Sequence, residues 1–143
     1  MPERHFTLDE AHALLPVLES LLRSAMESKK QVDNIGKEFQ DLAHKVFLSG
    51  GMLLPVTKLT HRKAERDKAV QQVRDAVTEI NATGVQVKDL EIGLLDFPCE
   101  TEAGTILLCW KMGESKITHW HGTDEGFAGR KPIDARILKA GTE

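Results

Sequence analysis

The chain has 143 residues, 41% of them apolar and 29% charged, with a formal net charge of −3. That sets an expectation of one domain, residues 1–143, with one real core. No run approaches the roughly 18 apolar residues of a membrane span, and the start, MPERHFTLDE, lacks the basic-then-apolar pattern of a secretory signal. Two cysteines, Cys99 and Cys109, cannot staple a secreted domain, so a cytoplasmic protein without a membrane partner is expected.

Charge separates the chain into unlike parts. Residues 1–84 carry 12 Lys and Arg against 12 Asp and Glu, and residues 85–143 carry 7 against 10. Neither part has the strongly basic stripe of a nucleic-acid binder, so no nucleic-acid partner is expected. The run from Lys58 to Lys68 is broken by Glu65 and Asp67 and reads as a solvated helix face.

Residues 7–84 read as a helical hairpin. Thr7-Leu8-Asp9-Glu10 matches a capping box, opening a short helix from Leu8 to about Leu14. Pro16 predicts a kink or a new first turn there, because it lacks an N–H and restricts Leu15. Leu18, Leu21, Ala25, Ser28, Val32, Ile35, Phe39, Leu42 and Val46 then advance by steps of three and four, a coiled-coil-like seam. Ser49-Gly50-Gly51 ends it. After Pro55, the positions Leu59, Lys63, Arg66, Val70, Val73, Val77 and Ile80 predict a second helix, stopped at Gly84. A short Gly/Pro loop should fold the two antiparallel. Apolar surface left uncovered by two helices predicts self-association, as a homodimer.

From Val85 the period changes. Residues 85–132 predict a small antiparallel β-sheet with loops: Val85 to Val87, Gly93 to Pro98, Thr105 to Lys111 and Lys116 to His121 are strand-like, with polar turn residues from Glu100 to Gly104. Residues 133–143 read as a tail. Taking Gly113-Glu114 as a two-residue turn, Leu108 faces His119, Ile106 faces His121 and Cys109 faces Thr118. Both histidines then share a face with apolar side chains.

A His-x-His pair on a strand sets two imidazoles about 6.6 Å apart, close enough to converge on one metal. His119 and His121 are therefore candidate ligands, with Asp96 or Glu125 as a third. A divalent metal such as zinc is the cofactor such a trio would take. The alternatives are core histidines with one satisfied nitrogen, or an acid–base pair. Asp96 also reads as a capping carboxylate or a partner for Arg130. In Gly126-Phe127-Ala128-Gly129-Arg130, Arg130 is a candidate for binding an anionic cofactor or ligand, or a loop pin paired with a carboxylate. Glu114 sits at the far end of the predicted hairpin, and neither cysteine is expected to build a metal site, Cys109 reading as a small buried apolar residue.

Several segments together resemble a known family. Phe6-Thr7-Leu8-Asp9-Glu10-Ala11 through Pro16, Gly84 to Glu91, Gly93 to Pro98, Leu108-Cys109-Trp110-Lys111 with Gly113-Glu114, Trp120-His121 and Gly126 to Arg130 are similar to the motifs of domain of unknown function 2203. The resemblance covers nearly the whole chain. It implies a small bacterial protein and brings no reaction with it. The expected fold is α+β, a long antiparallel helical hairpin packed with a small antiparallel β-sheet. Two functions are expected as alternatives: a metal- or anion-binding site on the C-terminal β-hairpin, or a scaffold that uses the heptad seam.

Overall fold

The computed structural model describes residues 4–134, so the expected tail lies mostly outside the described residues. Helix α1 (Leu8–Ser49) starts at the capping box: the Glu10 N–H donates to Thr7 Oγ1 at 3.1 Å, and the Thr7 N–H donates to Glu10 Oε1 at 3.0 Å. It ends at Gly50, whose φ of 73° turns the chain left-handed. The break expected at Pro16 does not occur, since α1 runs through it. A proline inside a helix costs about 3 kcal/mol. Here Ala11, Leu15, Leu18 and Leu22 on either side of it are buried in the core, and that packing holds the helix through the missing hydrogen bond.

Helix α2 (Val56–Ala82) returns alongside α1. Its buried face is Ala69, Ala76 and Ile80, with Val70, Val73 and Val77 half-buried. Ile80 is buried as the expected seam has it, but Ala69 and Ala76 are buried in place of their neighbours Val70 and Val77, because the alanines admit a closer approach than the valines beside them. Ser28, the one polar position of the α1 seam, donates to Gln72 Oε1 at 3.2 Å across the interface. Toward the loop, the seam positions Phe39, Leu42 and Val46 are only half-buried. There Arg62 reaches over to Glu38, with contacts at 2.8 and 2.7 Å.

The remaining chain forms a five-stranded antiparallel meander in chain order: β1 (Gln86–Asp89), β2 (Leu94–Thr101), β3 (Gly104–Lys111), β4 (His119–Gly122) and β5 (Lys131–Pro132). The fold is thus α+β, a helical hairpin with a small sheet. One face of the sheet carries Leu95, Phe97, Ile106, Leu108 and Trp110, all buried in the same core as Phe6, Leu18, Leu22 and Ile80. Phe6 meets the Phe97 ring edge-on at 5.7 Å, and its N–H donates to Pro98 O at 2.6 Å. The opposite face of β2 is closed as well: every residue from Leu94 to Cys99 is buried.

Gly93 holds the β1–β2 connection at φ 77°, and a Cβ there would lie 2.7 Å from Met112 Cβ and 3.0 Å from Met26 Sδ. Gly93→Ala is therefore expected to lower unfolding stability by at least about 2 kcal/mol, adding left-handed strain to a clash. Gly36→Ala, in open space on α1, should instead raise it by up to ~1 kcal/mol. Urea unfolding of the two variants checks both signs.

Candidate metal centre

Two hairpins decide which side chains meet. The turn between β2 and β3 pairs Thr101 with Gly104, which sets Asp96 opposite Cys109. Between β3 and β4 the pairs are Cys109 with His119, Leu108 with Trp120 and Leu107 with His121. The expected pairing is off by one residue, and in a strand that reverses the face of every side chain. The histidines therefore share a face with Asp96, Leu107 and Cys109, away from Leu108 and Trp110.

The reason is Glu114. No two-residue turn forms at Gly113-Glu114; β3 ends at Lys111 and β4 begins only at His119. Glu114 folds back instead. Its N–H donates to Lys111 O at 3.0 Å, its Oε1 accepts from the Lys111 N–H at 2.7 Å, and its carbonyl accepts from the Trp110 indole at 2.9 Å. The carboxylate then receives both arms of Arg130, each at 3.1 Å.

Asp96 Oδ, Cys109 Sγ and a His121 ring nitrogen lie within 4.8 Å of one another, and all three residues are buried. His121 Nε2 is 3.0 Å from Asp96 Oδ1, and His121 Nδ1 is 2.8 Å from Gly122 O. A carbonyl only accepts, so Nδ1 carries a proton. Nε2 is thereby left to share a second proton with Asp96 or to offer its lone pair. Asp96 Oδ2 is buried without a hydrogen-bond partner, as is the Trp120 indole nitrogen. Such an orphaned oxygen is costly unless something satisfies it.

Burial raises the Asp96 carboxyl above its usual range, against the opposing pull of His121, Lys88 and the neighbouring Cys109 thiol. Burial, together with the Asp96 charge, raises the Cys109 thiol to about 11, although the Arg130 guanidinium beside the sulfur pulls the other way. Burial also opposes the Glu114 charge, but Arg130 and the Lys111 N–H outweigh it, and Glu114 stays below the ordinary carboxylate range.

The sequence-derived candidates fall into two groups. Asp96 and His121 meet. His119 stands at the rim, half-buried, with Nδ1 2.8 Å from Thr118 Oγ1. Glu125 accepts from the Gly122 N–H at 2.9 Å and pairs with Lys131 at 2.7 Å. Arg130 stacks over Phe127 at 4.5 Å and is engaged by Glu114, not Asp96. Cys109 and Glu114 join the site unforeseen. A hairpin centred on residues 102 and 103 was the signal for Cys109, since it counts back from Gly104 and Thr101 to Cys109 opposite Asp96. Nothing local announces the fold-back of Glu114.

A buried carboxylate, thiol and imidazole on three adjacent strands define a small α+β protein with a potential ligand set for a metal. The profile described as "Uncharacterized conserved protein (DUF2203)" matches residues 4–133, and the chain belongs to that family. No curated protein and no solved structure matches it.

The thiol carries a pH signature. In the unfolded chain Cys109 ionises near its ordinary value, but in the folded protein it holds its proton to about 11. Between those values the unfolded state binds fewer protons, so stability falls as pH rises. The metal-free protein should lose on the order of 2 kcal/mol over that alkaline window. In Cys109→Ala the slope should flatten, as read by urea unfolding at a series of pH values.

Proposed function

We propose that the protein is a metal-binding protein, with Asp96, Cys109 and His121 holding one divalent ion, zinc foremost. The observation that carries this reading is the buried convergence of the three donors with Asp96 Oδ2 left unpartnered. A sulfur, an imidazole nitrogen and a carboxylate oxygen are zinc's usual ligands. The Nδ1 proton of His121 is fixed by the Gly122 carbonyl, the outer hydrogen bond that orients a ligating imidazole and directs Nε2 inward.

Charge supports the same reading. Without metal the trio holds one proton on the thiol and one between Nε2 and Asp96 Oδ1, and is neutral as a set. A divalent cation replacing both protons leaves the buried set neutral again, so no net charge is left unpaired in the interior. The three donors come from three neighbouring strands, and each is almost wholly shielded from solvent. That favours an ion that clasps β2, β3 and β4 together over one that turns over a substrate. Asp96 Oδ2, buried and unpartnered, is available as a fourth donor. The anion alternative is weaker, because the Arg130 fork is already committed to Glu114.

The test is zinc titration of chelator-stripped protein with a competing dye. One zinc per chain is expected, binding more tightly as pH rises because the ligands must lose protons. Cys109→Ser and Asp96→Asn should weaken it by at least about 100-fold, whereas His119→Ala should leave it near the parent value. A stripped protein that binds no stoichiometric zinc overturns the reading. So does a His119→Ala variant that loses zinc while Cys109→Ser keeps it. Circular dichroism confirms that each variant is folded.

A further inference from the structure

The far end of the helical hairpin combines two features that the metal site does not use. Phe47, Leu48, Met52, Leu53, Leu54 and Val56 are all exposed, Leu53 to 98% and Phe47 to 81%. They fall within ten residues that contain no charge. At 1.5 Å per residue, α2 carries this apex about 40 Å along the hairpin from the sheet. One to three turns back stand Lys45, Lys58, Lys63 and Arg66, all exposed, and none of them makes an ion pair among the described residues. The acidic residues nearby are Glu38 and Glu65, both held by Arg62, and the exposed Asp41 and Asp67.

Near this end a hollow of about 330 Å³ lies between the helices, lined by Phe39, Val56, Leu59 and Thr60 with Lys63 and Arg66. Its floor is apolar and its rim cationic. A patch of this kind on a monomer marks a contact surface, and the charge narrows the choice of occupant. A second copy meeting tip to tip would bring like charges together. An anionic lipid surface complements both features: its acyl boundary takes the apolar apex, and its head groups meet the basic collar. Leu53 projects outward, so the apex suits a fluid surface that needs no matching cavity. No described helix is long and apolar enough to cross a membrane, and contact with its surface is a different arrangement.

We propose that the hairpin tip docks onto anionic membrane surfaces, with residues 47–56 entering the interface and Lys45, Lys58, Lys63 and Arg66 lying against lipid phosphates. The expectation of no membrane partner rested on the lack of a spanning run or signal, which does not bear on a surface tip.

The experiment is co-sedimentation of the full chain with vesicles of equal parts phosphatidylcholine and phosphatidylglycerol, against phosphatidylcholine alone. Binding to the anionic vesicles is expected to exceed binding to the neutral ones by at least about tenfold, and to weaken as salt shortens the screening length. Leu53→Ser/Leu54→Ser and Lys45→Glu/Lys58→Glu should each lose about tenfold or more, since each charge near such a surface contributes about fivefold. All four positions are exposed, and unchanged thermal melts verify the fold. Failure to sediment with anionic vesicles at low salt overturns the proposal, as does equal binding by the variants. A dimer in sedimentation velocity that Leu53→Ser/Leu54→Ser dissociates, without vesicle binding, would assign the tip to a second copy instead.

Discussion

The contact between Asp96 and His121 is the constraint around which the sheet is arranged. β2 is buried on both faces from Leu94 to Cys99, so a carboxylate in its middle has no route to water. It must be neutralised where it stands. His121 supplies one oxygen with a partner at 3.0 Å, and for that the β3–β4 pairing must bring an imidazole two strands across. The register with Cys109 opposite His119 does this, where a one-residue slip would turn His121 to the other face. The register in turn requires Glu114 to fold back along Lys111, where Arg130 holds it. The polar outer face of the sheet is thus one linked system running from Asp96 through Cys109 and Arg130 to Glu114. Its remaining defect, the unpartnered Asp96 Oδ2, is what a metal ion would remove.

Much of this architecture is legible in the sequence, and the part that is not has a physical reason. The helices announce themselves through local signals: the capping box at Thr7, Gly50 beyond Ser49, and apolar steps of three and four. Those signals need no knowledge of distant residues. The helix end expected near Leu14 does not occur because the cost of Pro16 is local, whereas the packing of Ala11, Leu15, Leu18 and Leu22 that overcomes it is tertiary. On α2, Ala69 and Ala76 replace Val70 and Val77 in the buried face because alanine gains more from close approach than its own apolar area suggests.

The site was half legible. Asp96 and His121 stood out as polar residues in apolar surroundings, and both belong to it. His119 stood out equally with His121, and Glu125 was the alternative to Asp96; both lie beside the site, Glu125 on Gly122 and Lys131 and His119 on Thr118. Telling these pairs apart requires the exact register, and the register depends on the seven residues between Lys111 and His119. There a glutamate side chain competes with the backbone for hydrogen bonds, and a turn rule drawn from Gly-X pairs does not foresee it. Cys109 was misplaced by the same one-residue error.

The two ends of the molecule are chemically unlike. At the base, the helices bury their apolar faces on the sheet, and the buried polar groups are paired apart from Asp96 Oδ2 and the Trp120 indole nitrogen. At the tip, Phe47 and Leu53 face solvent beside unpaired lysines. Stability comes mainly from the first end, while the second keeps exposed groups that folding leaves unused.

X-ray absorption at the zinc edge of the loaded protein reads the ligand set itself. Binding by Asp96, Cys109 and His121 gives one sulfur scatterer at about 2.3 Å and the remaining nitrogen or oxygen neighbours near 2.0–2.2 Å, with the sulfur lost in Cys109→Ser. A first shell of nitrogen and oxygen alone in the unmodified protein would contradict it.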